Sequence, residues 1–248
     1  MDKSLLAKFS PFVNEVRKRL LFVVYVFISA TILGFFIYER VIRFIIGSLD
    51  LQGVNIVFTS PFQFLNLAIS TGVSMGVVFA VPLLVYQLFS FLKPALKPRE
   101  YKMIVGFIPV SVILFIVGFA FGAFIMKWQI EIFLASSLSL GIGNILDVSR
   151  LLSMIIMTSA FIGAGFQFPI LLLILLRLGV LKHKQLAGVR KWFYVGSFIF
   201  AILLPADSIL ADILLAMPLI LLFELTLLSS RIFGKKSVFT NTNLKATQ

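Results

Sequence analysis

Residues 20–38 read LLFVVYVFISATILGFFIY, a run of 19 residues without a single charge. An α-helix rises about 1.5 Å per residue, so a run of this length nearly crosses the ~30 Å hydrocarbon core of a bilayer. The run is longer than the ~7–15 apolar residues of a signal peptide, and no small-residue cleavage pattern comes after it. We therefore interpret it as a first membrane-spanning helix and expect it to be retained.

The remainder of the chain has the same apolar character. Of its 248 residues, 60% are hydrophobic and the mean hydropathy is +1.09, whereas soluble domains are about 45–50% apolar. The apolar runs are continuous rather than alternating, which excludes a closed β-barrel. There is no cysteine, so disulfide and thiol chemistry are excluded. The composition predicts an all-α membrane protein.

Six membrane spans are predicted, and the fifth is unusually short. They cover residues 20–38, 67–92, 104–126, 151–176, 192–204 and 209–228. The fifth has 13 residues, which reach about 20 Å as a helix. It is followed by the tight turn PADS, residues 205–208, and then by the sixth span. Such a short hairpin requires the bilayer to thin locally or the helix ends to sink into it.

Lysines and arginines are distributed unevenly between the two sides of the predicted membrane. Eighteen of the 22 lie in the N-terminal segment, in the loops after the second and fourth spans, and in the tail. Four lie on the other side, at Arg40, Arg43, Lys127 and Arg150. Because positively charged loops remain in the cytoplasm, both termini are predicted to be cytoplasmic. These flanking cations also account for the net charge of +12, so the lipid bilayer rather than nucleic acid is the expected partner.

The segments outside the spans carry weaker signals. The large outer loops, about residues 39–66 and 127–150, are partly apolar and are expected to form short helices lying on the outer surface. Residues 234–248 are expected to be a disordered cytoplasmic tail, which leaves residues 1–233 as a single membrane domain. Prolines within the spans are expected to bend the helices into a concave bundle; they are Pro82, Pro109, Pro169 and Pro218.

Four polar residues in or beside the last three spans need a partner, because an isolated charge in a bilayer costs about 3 kcal/mol on insertion scales. Asp207 lies in the outer turn. Asp212 and Glu224 lie near the two ends of the sixth span, where each either reaches the membrane surface or faces a partner group. Gln167 is deeper, within GAGFQFP, whose small residues let another helix approach closely. It either docks a polar residue of a partner helix or makes an internal hydrogen bond.

Carboxylates are rare on the cytoplasmic side, where only Asp2, Glu15 and Glu100 are expected among ten acidic residues. Glu15 can pair with Arg19 at a spacing of four residues. Glu100, in FSFLKPALKPREY, can stabilise the start of the third helix through its dipole. Considered together, two carboxylates on a cationic face suit a ligand that carries two guanidinium groups.

Several motifs, in the order in which they occur, resemble those of the TatC family, the receptor subunit of the twin-arginine protein translocase. The segment FVNEVRKR is similar to the family's His-x-x-Glu-Leu-Arg-x-Arg motif, with Phe12 in place of histidine. The turn that contains Asp207 resembles Thr-Pro-Pro-Asp, although its distance to Pro218 is one residue longer than expected. Further matching positions are Ser60, Pro61, Pro82, Tyr86, Gln87, Phe91, Pro94, Leu96, Glu100, Gly163, Phe166, Gln167 and Pro169.

The resemblance implies a function and a site. It implies a translocase subunit of a prokaryotic inner (plasma) membrane, or of a related organellar membrane, that exports folded proteins with the proton-motive force. It implies no enzymatic activity, no cofactor and no metal. The implied partners are single-span subunits resembling TatA and TatB, docked near spans five and six of an oligomer, and twin-arginine signal peptides. The implied peptide-binding residues are Glu15, Arg17, Phe91, Pro94 and Glu100.

A six-span transporter of small solutes is the alternative. Acidic residues within the spans permit it, but the lack of an internal repeat and of a midplane ion site argues against it. A membrane-embedded enzyme is disfavoured because the sequence contains no HExxH, GxSxG or P-loop motif. The single histidine, His183, lies in a predicted cytoplasmic loop.

Overall fold

The computed structural model describes residues 3–49, 55–57, 60, 62–92, 101, 105–139, 145–177, 181, 183–206 and 208–242. Its helices are α1 (Lys3–Leu49), α2 (Gln63–Leu92), α3 (Phe107–Ser139), α4 (Val148–Gly165), α5 (Phe168–Arg177), α6 (His183–Gly188), α7 (Arg190–Ile202) and α8 (Ile209–Thr242). Two strands, β1 (Asn55–Val57) and β2 (Ile145–Asp147), form one parallel pair. The prediction of a helical protein is therefore confirmed, with the strand pair as an addition.

In the described part of the chain, five segments are long and apolar enough to cross a membrane. They are Asn14–Gly47, Gln63–Phe91, Phe107–Ser137, Ser149–Arg177 and Ile209–Ser229. They correspond to five of the predicted spans and are mostly longer at their ends. The remaining one, α7, has 13 residues, as short as predicted. That α7 is a sixth span stays a prediction.

The chain divides into two compact units, residues 1–164 and residues 165–248. The first contains α1, α2, α3, both strands and α4 up to its penultimate residue, and the second contains α5 to α8. The predicted single domain over residues 1–233, and the concave shape of the bundle, stay predictions.

In the first unit, α1 and α2 pack closely along a seam of glycines. A Cβ atom added at Gly72 of α2 would lie 2.7 Å from the main-chain oxygen of Thr31 of α1. A Cβ added at Gly34 would lie 2.8 Å from Cβ of Met75. Such distances are far below van der Waals contact, so these positions admit glycine alone without movement of the backbone. Small residues of this kind let membrane helices approach and fix their relative register.

The two loops predicted to lie on the outer side are built differently from the expectation of separate surface helices. The apolar residues after the first span continue α1 to Leu49, and those after the third span continue α3 to Ser139. A helix that is already formed extends easily, because each added residue gains a hydrogen bond. The strand after α1 pairs with the strand after α3, so that Asn55 lies opposite Ile145. The expected separate surface helices are therefore wrong for these residues.

Polar side chains hold this strand pair to the helices that come after it. The amide Nε2 of Gln63 donates to Oδ2 of Asp147 over 2.5 Å, and the Ser149 hydroxyl donates to the main-chain oxygen of Gln63 over 2.8 Å. Asp147 also caps α4, since its Oδ1 accepts from the backbone N–H of Arg150 at 3.2 Å. The starts of α2 and α4 are thereby tied together.

The second unit has a core built from α5 to α8. Leu172, Leu186, Phe223 and Leu227 are buried together. The ring of Phe193 stacks on Phe223, so that α7 and α8 form a closely packed hairpin. Partly buried side chains close this core, namely Leu176, Leu181, Ala187, Phe193 and Tyr194.

Of the four prolines predicted to bend helices, two lie in helix interiors, Pro82 and Pro218. Pro109 lies in the first turn of α3, where an unpaired backbone N–H is normal and no bend is required. Pro169 is the second residue of α5 and comes just after the interruption at residues 166–167. The segment predicted as the fourth span therefore contains two helices, α4 and α5.

The C-terminal segment is predicted from the sequence to be disordered beyond residue 233. Helix α8 continues to Thr242, so helical backbone includes the first nine residues of this segment. Residues 243–248 lie outside the described residues.

Candidate functional site

A cavity of about 690 Å³ opens beside one end of the α1–α2 pair in the first unit. Both helices contribute polar side chains to its wall. The lining residues are Asn14, Glu15, Lys18, Arg19, Phe22, Tyr86, Gln87 and Ser90. A smaller and more apolar cavity of about 170 Å³ adjoins it, and Arg19 and Gln87 line both. The sequence places three ionisable groups, Glu15, Lys18 and Arg19, within one turn and a half of α1.

The two opposite charges on this wall are directly bonded. Nη2 of Arg19 donates to Oε1 of Glu15 over 2.7 Å, a length typical of charge-assisted hydrogen bonds. The predicted pair at a spacing of four residues is therefore confirmed. The Glu15 side chain is 52% exposed and that of Arg19 is 22% exposed. The carboxylate thus faces the cavity, while the guanidinium lies deeper between the helices.

Helix α2 holds the same guanidinium from its other side. Nη1 of Arg19 donates to the main-chain oxygen of Gln87 over 3.2 Å and approaches the side-chain Oε1 of Gln87 at 3.5 Å. The guanidinium carbon also lies 5.8 Å from the centroid of the Phe91 ring, within the range of a cation–π contact. Gln87 and Phe91 are four residues apart, so both lie on the face of α2 that α1 covers.

The residues predicted to bind a signal peptide are only partly assembled in the described part of the chain. Arg19 contacts both Glu15 and Phe91, which places these two predicted residues around one guanidinium. Arg17 is exposed and is absent from the cavity wall. Pro94 and Glu100 lie outside the described residues.

Of the eight lining residues, Glu15 alone was predicted as a site residue. The seven others are Asn14, Lys18, Arg19, Phe22, Tyr86, Gln87 and Ser90. Arg19, Tyr86 and Gln87 belong to the motifs quoted above. Gln87 also lies four residues before Phe91, and this spacing indicates that the two share one face of α2. Asn14 and Lys18 carry no such signal, because nothing in the sequence alone tells which side of α1 faces α2.

A second polar group lies in the other unit, around Glu224 of α8. Its Oε1 accepts from the Tyr194 hydroxyl at 2.5 Å, and its Oε2 lies 3.2 Å from Nη2 of Arg190. Both partners belong to the start of α7. The Glu224 carboxylate therefore has two partners within this chain, Tyr194 and Arg190.

An apolar groove of about 400 Å³ runs from Glu224 along the α7–α8 hairpin. Its wall is almost entirely apolar. The lining residues are Phe198, Ile213, Ala216, Met217, Ile220, Leu221 and Glu224.

The other predicted polar residues have different surroundings. Gln167 is 2% exposed at the interruption between α4 and α5, and its main-chain oxygen accepts from the N–H of Leu171. This burial favours the internal reading of the two alternatives for its side chain. Asp212 is half-buried in the first turn of α8. Asp207 lies outside the described residues.

The chemistry that this arrangement supports is recognition of cations. The Glu15 carboxylate and the Phe91 ring already bind one guanidinium, that of Arg19. Among the described residues, no three His, Asp or Glu side chains are grouped to hold a metal ion.

Comparison with known proteins gives consistent matches along the chain. A sequence model of the family described as Sec-independent protein translocase protein (TatC) matches residues 11–218. The chain is 28% identical over 232 residues to the Sec-independent protein translocase protein TatCy of Bacillus subtilis, covering 91% of this chain and 89% of that protein. It is 29% identical over 229 residues to the TatC protein of Escherichia coli K12, covering 90% and 87%.

A solved structure agrees with these relatives. The fold is similar to the crystal structure described as the twin arginine translocase receptor TatC, with a TM-score of 0.76 and 26% sequence identity. The similarity covers 89% of this chain and 98% of that chain. The resemblance inferred from the motifs is confirmed.

Proposed function

Because this chain belongs to the TatC family, and is thus a multi-span membrane component of the Sec-independent protein translocase, we propose that Glu15 and Glu100 bind the arginine pair of a twin-arginine signal peptide. The cargo is a folded protein, and the proton-motive force drives its export. As a translocase component the chain works with other Tat subunits.

One observation carries the proposal. The Glu15 carboxylate lines an open cavity and already binds a guanidinium at 2.7 Å, so its geometry suits an arginine side chain. Hydrogen bonds between guanidinium and carboxylate are among the strongest that proteins make. Glu100 supplies the second carboxylate, for the second arginine of the pair.

The neighbouring residues shape this site. Phe91 offers an aromatic face on which a guanidinium stacks. Arg17 and Pro94 complete the surroundings, and the cations Lys18 and Arg19 repel basic peptides that lack the correct arrangement of charges. Specificity then comes from two local carboxylates on a cationic surface.

The α7–α8 hairpin is where the partner subunits dock. The apolar groove beside Glu224 suits a single-span helix resembling TatA or TatB, and the short α7 thins the bilayer beside it. Six helices of this size are too few to enclose a folded protein, so the passage is built together with these subunits in an oligomer. Both termini lie in the cytoplasm, and the protein resides in the inner (plasma) membrane.

Crosslinking tests the peptide site. A labelled twin-arginine peptide is crosslinked to membranes that contain the unaltered protein, Glu15→Ala, Glu100→Ala or both substitutions. A charge-assisted hydrogen bond is worth about 1.5–3 kcal/mol, so each single substitution is expected to weaken binding at least tenfold.

The chain offers a matched control. Glu39 pairs with Arg43 at 3.2 Å on the same helix α1 and at the same spacing of four residues, far along α1 from the cavity. Glu39→Ala therefore removes an equivalent pair and is expected to leave crosslinking unchanged. Unchanged crosslinking in Glu15→Ala, Glu100→Ala and the double variant would sink the assignment.

A further inference from the structure

Arg19 makes the two contacts that the proposed site offers to an arginine of the ligand. Its guanidinium binds the Glu15 carboxylate at 2.7 Å and lies 5.8 Å from the centre of the Phe91 ring. A carboxylate and an aromatic face are the two groups that favour arginine over lysine. The chain therefore carries its own guanidinium where a peptide guanidinium is expected to bind.

The two guanidinium groups compete for the same carboxylate oxygen at Glu15. A bidentate arginine needs both carboxylate oxygens, one for each of two parallel N–H donors. Nη2 of Arg19 already holds Oε1. An incoming arginine that forms the paired contact needs Oε1 as well, beside the positive charge of Arg19, so its contact with Glu15 is strongest when Arg19 leaves that oxygen.

Arg19 has a second anchor that survives such an exchange. Nη1 donates to the main-chain oxygen of Gln87 over 3.2 Å, independently of Glu15. The side chain is 22% exposed, so its aliphatic stem is held between α1 and α2. A displaced Arg19 thus keeps one hydrogen-bond acceptor, and its exchange does not leave a buried cation without a partner.

From these contacts we infer that Arg19 is a resident competitor that sets the specificity of the signal-peptide site. A ligand arginine binds Glu15 and Phe91 by displacing the guanidinium of Arg19. A lysine ammonium has neither the planar face nor the fork of donors needed to replace both contacts, so it displaces Arg19 poorly. This inference rests on the proposed function of Glu15.

Peptide binding to the purified full-length protein tests it. Dissociation constants are measured by fluorescence anisotropy in detergent for a peptide with the Arg-Arg pair and for its Lys-Lys counterpart. For Arg19→Gln, the dissociation constant of the Arg-Arg peptide is expected to fall about tenfold, which corresponds to about 1.4 kcal/mol. That of the Lys-Lys peptide is expected to fall further, so that discrimination between the two narrows.

Lys18→Gln is the matched control for charge. Lys18 lines the same cavity, and its substitution removes one positive charge next to Glu15, whereas the carboxylate and ring contacts belong to Arg19. For Lys18→Gln, the gain in peptide affinity is expected to be at most about threefold and equal for both peptides. Added salt is expected to reduce this gain. Arg19→Lys keeps the charge but loses the planar contact with Phe91, and is expected to give an intermediate affinity. If thermal unfolding shows that Arg19→Gln does not fold, Arg19→Lys replaces it as the test variant.

The direction in which each substitution changes the peptide dissociation constant distinguishes the inference from its alternatives. If Arg19 merely positions Glu15, Arg19→Gln weakens binding of the Arg-Arg peptide, and the inference is overturned. Equal gains in Arg19→Gln and Lys18→Gln would also overturn it, since general charge repulsion then suffices. If the unaltered protein does not prefer Arg-Arg, or if Glu15→Gln does not weaken binding, the proposed function itself fails.

Discussion

The ring of Phe193 lies almost parallel to the ring of Phe223, with centroids 4.0 Å apart and planes inclined by 12°. Tyr194, the next residue, meets the same Phe223 ring edge-on at 6.3 Å and donates its hydroxyl to Glu224. Two consecutive residues of α7, Phe193 and Tyr194, thus contact two consecutive residues of α8, Phe223 and Glu224. The short helix is held by these contacts at one end of the hairpin.

Truncating Phe223 is expected to loosen the hairpin. The side chain is 0% exposed, so Phe223→Ala leaves a cavity beneath Phe193. Such truncations cost about 3–5 kcal/mol in soluble cores; because lipid is itself apolar, we expect about 1–3 kcal/mol here. Thermal unfolding in detergent measures the loss. Trp192→Ala is the control, since Trp192 is 78% exposed on the same helix, and an equal loss there would contradict the importance of the stacked pair.

Lengthening α7 is expected to impair transport without impairing peptide binding. Four apolar residues inserted into its 13 residues add one turn, or about 5 Å, which relieves the mismatch with the bilayer proposed above for α7 as a short span. Export of a twin-arginine reporter into membrane vesicles is the measurement for transport, and peptide crosslinking is the measurement for binding. The same insertion after Lys245 in the tail serves as the control. Normal export through the lengthened hairpin would show that membrane thinning is incidental.

Gly72→Ala is expected to disrupt the α1–α2 seam. Its new methyl group would lie 2.7 Å from the main-chain oxygen of Thr31, so one helix must shift. Gly47→Ala is the same substitution at a position where nothing lies within 4 Å, and replacing a helical glycine there is expected to be neutral or stabilising. We expect a lower unfolding temperature and weaker peptide binding for Gly72→Ala alone. Similar behaviour of the two variants would mean that the seam tolerates movement.

Gln167→Leu tests whether the buried amide serves a partner. If Gln167 contacts a polar group of a partner helix, co-purification of the single-span subunits falls while the fold persists, because membrane hydrogen bonds average well below about 2 kcal/mol. Gln167→Glu keeps a polar side chain and is expected to retain assembly. Unaffected co-purification and transport in Gln167→Leu would make the residue an internal contact, as its burial favours.

Asp147→Ala is expected to destabilise the start of α4. The substitution removes the cap on the Arg150 N–H and the partner of Gln63, and loss of a cap costs about 1 kcal/mol. Asp147→Asn keeps a side-chain oxygen that can accept from the Arg150 N–H, so it is expected to destabilise the first turn of α4 much less. Hydrogen exchange of the first turn of α4 measures the difference. Equal exchange in both variants would show that the charge of Asp147, and not its cap, matters.

Features set by helix periodicity were predictable from the sequence. The Glu15–Arg19 pair results from a spacing of four residues, which fixes the two side chains on one face of α1. The short α7 results from the distance between its flanking polar residues, and its observed bounds are close to those predicted. Both are properties of a single helix, so one stretch of sequence suffices.

Features that depend on the pairing of distant segments were not predictable. The contacts of Arg19 with Gln87 and Phe91 require the register between α1 and α2, which the glycine seam sets through three-dimensional fit. Strands of three residues are too short for an alternating pattern to be recognised. Charged residues such as Arg40 and Arg43 mark where the apolar core ends, but the helix itself continues past them to Leu49.

The pairing of β1 with β2 also constrains the order in which the chain can mature. Asn55 pairs with Ile145, about 90 positions later, and at about 5–20 residues per second the ribosome needs about 5–18 s to supply that partner. During this interval α2 and α3 are synthesised, and the strand that pairs with β1 has not yet been made. The strand pair can therefore form only after three helices, α1 to α3, have been synthesised.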